Sequence, residues 1–192
     1  MYKPLRLLAI AAVLVAAVAF PAAASAQNPH LRNNVRPNPA FIDNGLTLEA
    51  TVAYAGLGNF DTLQVLDARG NPTAVCTNPS GKQQPPGQNP AEADVTGATP
   101  VAAGDIKNGN VTISTETDPP VTPILGAPDC PGRNWTETIT DMAFTSATIT
   151  LFQDVNADDD FDDPGELVLT VNCTFNSPTS NGVVPASNYS CT

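Results

Sequence analysis

Residues 144–175, FTSATITLFQDVNADDDFDDPGELVLTVNCTF, decide the fold of this chain. In the second half Leu167, Leu169, Val171, Cys173 and Phe175 share one parity, with Val168, Thr170, Asn172 and Thr174 on the other. A period of two is that of a strand with one face in a core. In the first half Ala147, Ile149 and Leu151 alternate with Thr148 and Thr150. β-Branched side chains of this kind suit a pleated surface. The two segments are expected to pair as an antiparallel hairpin.

Their connection, DVNADDDFDDPGE (residues 154–166), is long for a hairpin, where about two to five residues are usual. It holds seven acidic side chains, Asp154, Asp158, Asp159, Asp160, Asp162, Asp163 and Glu166, and no Lys or Arg. Charges packed this densely repel unless water or a cation lies among them. Hard cations such as calcium take six to eight oxygen ligands from carboxylates, amides and backbone carbonyls. Against the calcium-loop pattern, Asp154, Asn156 and Asp158 match the first, third and fifth positions. The sixth, a Gly in that pattern, is Asp159; the twelfth, a Glu, is Gly165, and Glu166 comes one residue late. Flanking strands argue against a helix–loop–helix hand. The loop resembles the Asp-x-Asn-x-Asp…Asp-Pro-Gly-Glu turns of β-domains in bacterial surface proteins, with one residue more. That resemblance implies a calcium ion held by Asp154, Asn156, Asp158, Asp162 or Asp163, and Glu166, with the backbone carbonyl of Asp160. The alternative is a solvated acidic tip that keeps the protein soluble.

Residues 1–26 have the form of a secretory signal: Lys3 and Arg6, an apolar run over residues 7–20, then Ala24-Ser25-Ala26 as a small-residue cleavage site. The mature chain is expected to begin at Gln27 and to be secreted, with no membrane insertion after cleavage. It then carries six basic against nineteen acidic side chains, a net charge of −13. That balance disfavours nucleic acid and anionic lipid as partners and favours cations or basic ones. Its 166 residues suffice for one domain with a core. With few aromatics, that core should rest on Val, Ile, Leu and Ala, with Trp135 as a large anchor. The four cysteines, Cys76, Cys130, Cys173 and Cys191, point to two disulfides in an exported protein. Three connectivities are open; Cys76–Cys130 with Cys173–Cys191 is preferred, the second tying the tail to the hairpin. No C-x-x-C occurs, and the only His is the distant His30, so a cysteine metal site is not indicated.

Residues 27–45, QNPHLRNNVRPNPAFIDNG, lack periodicity and are expected as an extended arm or flexible lead-in outside the β-domain. The β-domain is assigned to residues 46–192. Leu46, Leu48, Ala50, Val52 and Tyr54 alternate as a strand. A second is expected over 62–68 with Leu63 and Val65 inward, a turn at Arg69-Gly70-Asn71-Pro72, and a third over 73–77. Residues 78–90, NPSGKQQPPGQNP, read as a long loop within one domain. Further strands are expected over 95–101, over 110–117 after the Asn108-Gly109 turn, and over 135–140. A last edge strand over 183–191 is interrupted by Pro185. Some eight or nine short strands without a helix-period segment indicate an all-β antiparallel sandwich, immunoglobulin-like in architecture. The antibody-type motifs are absent: Trp135 follows Cys130 by five residues, and no Tyr sits two before Cys173.

CTNPSGKQQPPGQNP (76–90), DIKNGNVTIS (105–114) and NWTETITDMAFTSATIT (134–150) together resemble an uncharacterised group of small secreted bacterial proteins, Actinobacteria-like in character. The resemblance spans about residues 48–175. It implies a secreted β-sandwich and supplies no activity.

The chemistry-bearing motifs are sparse. There is no G-x-S-x-G, H-E-x-x-H or phosphate loop, and His30 alone would have to serve as any imidazole base. Paired carboxylates are plentiful, but one Trp and three Tyr offer few platforms for a sugar. Four Asn-x-Ser/Thr sequences, beginning at Asn110, Asn134, Asn172 and Asn188, are close to the number composition gives by chance. The sequence therefore favours a non-enzymatic exported β-domain with an extracellular structural or binding role and an unidentified protein or glycan partner. Two rival readings stand beside it. One is a small extracellular hydrolase or an accessory module to one. The other is a calcium-dependent adhesin or ligand carrier using the 78–90 loop.

Overall fold

The computed structural model describes residues 28–85, 90–122, 130–158, 160–163 and 165–192. The secretory signal expected over 1–26 lies outside the described residues. The strands are β1 (His30–Leu31), β2 (Ala40–Asp43), β3 (Leu48–Ala55), β4 (Thr62–Thr77), β5 (Gln83–Gln84), β6 (Ala93–Val101), β7 (Val111–Glu116), β8 (Thr136–Gln153), β9 (Leu167–Phe175), β10 (Gly182–Val183) and β11 (Tyr189–Cys191). Two 3₁₀ turns, Ala103–Asp105 and Ala186–Asn188, complete the described elements, and no α-helix occurs among them. The eleven strands exceed the eight or nine expected because β1, β5 and β10 are two-residue pieces too short to show a period.

Every pairing is antiparallel, and the strands form two sheets, a β-sandwich. In the first sheet β3 lies between β7 on one side and β2 and β1 on the other, with β10 outside β2. The second runs β11-β9-β8-β4, with β6 and β5 sharing the outer edge of β4. The expected hairpin is its centre: β8 and β9 pair from Ser146↔Thr174 to Phe152↔Leu167. A register shift between Leu151 and Phe152 leaves Leu167 exposed, although its parity had placed it inward.

The core follows alternation. Leu48, Ala50, Val52 and Tyr54 of β3 meet Leu66, Ala68, Phe144, Ile149, Leu151 and Val171 of the second sheet. At one edge Phe41, Phe175 and Tyr189 meet edge to face, with ring centroids 5.0–6.0 Å apart, and close the gap between the sheets. At the other edge β6 runs against β7, where Gly97 lets the Glu116 carbonyl approach; an added Cβ would lie 2.0 Å from that oxygen.

Four expectations are corrected. Residues 28–45 are not a free arm, since β1 and β2 pair with β3 and Phe41 is buried. Between those strands the Asn38 side chain stands in for a strand, accepting from Ala53 N–H at 2.9 Å and donating to Ala53 O at 2.8 Å. Residues 62–77 form one strand, not two. Gly70 permits a register shift against Phe144, and Pro72 falls between the ends of β6 and β5, where no neighbouring strand needs its missing N–H. In β4 it is Thr62, Gln64 and Leu66 that face the core, while Leu63 and Val65 are half-buried on the other face. Gln64 is accommodated because it accepts from the Tyr54 hydroxyl at 2.7 Å and donates to Thr115 Oγ1 at 2.8 Å. Trp135 is only half-buried just before β8, and Tyr54, Phe41, Phe144 and Phe175 are the buried aromatics among the described residues.

The strand expected over 135–140 runs on without a turn as β8, and the loop expected over 78–90 includes β5, while three local expectations stand. Asn108 and Gly109 have φ of 52° and 72°, and Lys107 and Asn110 exchange backbone hydrogen bonds across them. The 183–191 segment splits at Pro185 into β10 in the first sheet and β11 in the second. Cys76 is bonded to Cys130 and Cys173 to Cys191. Two disulfides fit an extracellular protein. No described helix is long and apolar enough to cross a membrane.

Candidate metal centre

The acidic loop begins where β8 ends, and its two roots are fixed before any side chain acts. Gln153 N–H donates to Glu166 O at 2.8 Å, and Asp154 N–H donates to Asp61 O at 2.9 Å. These bonds draw Asp154 and Glu166 into the end of the sandwich. Asp154 is 4% exposed and Glu166 is fully buried, although both sit in the most acidic stretch of the chain.

From Asp154 the backbone curls around its own carboxylate. Asp154 Oδ1 accepts from Ala157 N–H at 2.6 Å and from Asp158 N–H at 3.2 Å, with Ala157 at φ 60°. The curl brings Asp158 back toward the loop's roots. At the far end Asp163 and Glu166 close a turn: Glu166 N–H donates to Asp163 O at 3.2 Å, and Asp163 N–H donates to Glu166 Oε2 at 3.1 Å. As a result Asp154, Asp158 and Glu166 each offer a carboxylate oxygen within 4.8 Å of the other two. Around a calcium ion with bonds of about 2.3–2.6 Å, two ligands can be no farther apart than about twice that length. The triad therefore has the span of one coordination sphere.

Glu166 carries the tension in this arrangement. Its Oε1 is buried and has no hydrogen-bond partner. Burial raises its pKa, the Asp163 N–H opposes that shift, and the charges of Asp158, Asp154 and Asp163 raise it further. A buried carboxylate facing two others without a cation has a strong demand for one.

The remaining expected ligands are placed around this triad. Asn156 donates its amide to Asp158 Oδ2 at 3.1 Å and to Asp163 Oδ2 at 2.6 Å, while its Oδ1 accepts from Asp158 N–H at 3.3 Å. A half-turn of that amide exchanges its oxygen and nitrogen at little steric cost. Asp160, Asp162 and Asp163 are exposed and lie outside the triad. Asp160 is turned to the loop backbone, its N–H donating to Asp158 Oδ1 and its Oδ1 accepting from Phe161 N–H. Asp159 lies outside the described residues.

Sequence reasoning missed the polar residues beneath the loop. Thr62 and Gln153 are fully buried, and Gln153 donates to Thr62 Oγ1 at 3.3 Å while its own Oε1 has no partner. Their parity relative to Leu66 and Leu151 was the available signal. His30 is exposed, with Nδ1 2.6 Å from Asn28 O. No family model, curated protein or solved structure matches this chain.

Proposed function

We propose that this protein is an exported, non-enzymatic β-sandwich with an extracellular structural or binding role, whose β8–β9 loop is held closed by calcium. One observation carries the calcium reading: the enclosed Glu166 carboxylate, one oxygen unpartnered, converges with Asp154 and Asp158. Oxygen-only donors on a curled loop suit a hard cation, and room for additional oxygens from Asn156, backbone or water suits calcium more than magnesium. The ion would bind the loop's start, its first curl and its end to one point. It would thereby clamp the β8–β9 hairpin to the β3–β4 connection through Asp154 and Asp61. The non-enzymatic reading draws on the sparse catalytic motifs of the sequence and the exposed setting of His30. Calorimetric titration of the mature chain with calcium tests the proposal. A saturable, single-site heat that vanishes with excess chelator is expected. Absence of heat at millimolar calcium overturns it.

A further inference from the structure

A second feature lies beside the loop on the side of β6. There a recess of ≈ 350 Å³ is lined by Asp61, Thr62, Pro100, Val101, Ala102, Asp154 and Phe161. Its size is at the small end for pockets that enclose a ligand. Pro100, Val101, Ala102 and Phe161 give it apolar walls. Of its polar residues, Thr62 and Asp154 are buried, so the group open to a visitor is the exposed Asp61. That carboxylate is held in place, because Asp61 Oδ1 accepts from Ala103 N–H at 2.7 Å. A carboxylate anchored through one oxygen among apolar walls suits a ligand with an aliphatic stem and a cationic head.

We propose that this recess receives an arginine or lysine side chain presented by a protein partner. The methylenes would lie on Pro100, Val101 and the Phe161 ring, and the head would meet Asp61. A cation over the Phe161 face adds a further attraction. Charge favours the same visitor. The sequence of the adjoining loop holds seven acidic residues and no basic one, more than the two charges of a bound calcium offset, on an expected mature chain of net −13. Asp154 lines the recess as well as belonging to the triad, but the residues meant to contact the visitor, Asp61 and Phe161, are not in the triad, so variants at those two positions test this reading apart from the calcium one.

The test is an NMR titration of the ¹⁵N-labelled mature chain with N-acetyl-arginine amide, N-acetyl-lysine amide and N-acetyl-norleucine amide, in calcium and in chelator. The expected result is saturable shifts at the Val101, Ala102 and Phe161 amides with the two cationic probes and not with the neutral one. Asp61→Asn keeps an oxygen for the Ala103 N–H and should weaken the cationic probes about tenfold, the size expected for loss of a charge-assisted bond. Phe161→Ala should weaken them without abolishing the calcium heat. The proposal is overturned if norleucine amide binds as well as the cations, if Asp61→Asn titrates like the wild type, or if the shifts spread over the acidic loop without saturating.

Discussion

Glu166→Gln distinguishes a calcium ligand from a carboxyl group that is merely packed. Glutamine keeps the length of the side chain and an acceptor for the Asp163 N–H, and removes the charge. With calcium at a hundred times its Kd, mass action adds about 2.7 kcal/mol to the folded state. For a chain of this size, 192 residues in full, 1 kcal/mol moves Tm by about 2–4 °C. Calcium should therefore raise the wild-type Tm by roughly 5–11 °C, and Glu166→Gln should lose most of that rise. In chelator the order inverts. There the wild type must bury an ionised carboxylate against Asp154 and Asp158, so the variant should melt at or above it. The sign follows from the raised pKa of Glu166, whose ordinary value is 4.5. Its contribution is full below that value and is lost as pH rises through the higher folded value. The gap in favour of the variant should accordingly widen from pH 4.5 upward in chelator and disappear in calcium. Thermal melts followed by circular dichroism, in calcium and in chelator across that range, measure it. Equal destabilisation of Glu166→Gln in both conditions, or a wild-type Tm indifferent to calcium, would refute the reasoning.

Other parts of the fold give sharper structural tests. Tyr54 and Tyr189 have pKa values raised by burial above the usual 10. Their stabilising effect is full below pH 10 and is lost as pH climbs toward the folded values, so the Tyr54 tyrosinate should appear only with alkaline unfolding. A normal titration near pH 10 in the folded protein would contradict the burial of the Tyr54 ring. Gly97→Ala would set a Cβ 2.0 Å from Glu116 O and should destabilise by about 2 kcal/mol or more, read by denaturant melts. Serine replacements that remove the Cys76–Cys130 bridge, which spans 54 residues, should cost about 4 kcal/mol in the loop-closure account. Removing Cys173–Cys191, which spans 18, should cost about 3 kcal/mol. Peptide mapping without reductant checks the pairing itself.

The fold was legible wherever alternation ran without interruption. β3, β7 and the β8–β9 hairpin follow from period two, and Asn108-Gly109 from its need for positive φ. Reading failed where punctuation served another purpose. Gly70, Asn71 and Pro72 look like a turn, yet in the folded chain Gly70 admits a close backbone neighbour and Pro72 occupies a gap along β4. Asn38 reads as loop composition, yet its amide completes the hydrogen bonding of β3 at Ala53. In the acidic loop the pattern singled out Asp154, Asp158, Glu166 and one of Asp162 and Asp163 among seven acidic residues, without saying which are enclosed. Among the described residues burial separates them, since Asp154 is tied to Asp61 and Glu166 to Gln153, and these two roots are drawn inward. The inward parity of Thr62, Gln64 and Gln153 was hidden because polar side chains on a core face become acceptable only once their partners are known.

A crystal structure of the mature chain grown with calcium, with anomalous data collected to identify the ion, tests the calcium clasp most directly. The expected result is one calcium peak within about 2.3–2.6 Å of oxygens from Asp154, Asp158 and Glu166, with Glu166 Oε1 among its ligands. A Glu166 side chain turned out to solvent, or the three carboxylates separated with only water among them, would contradict it.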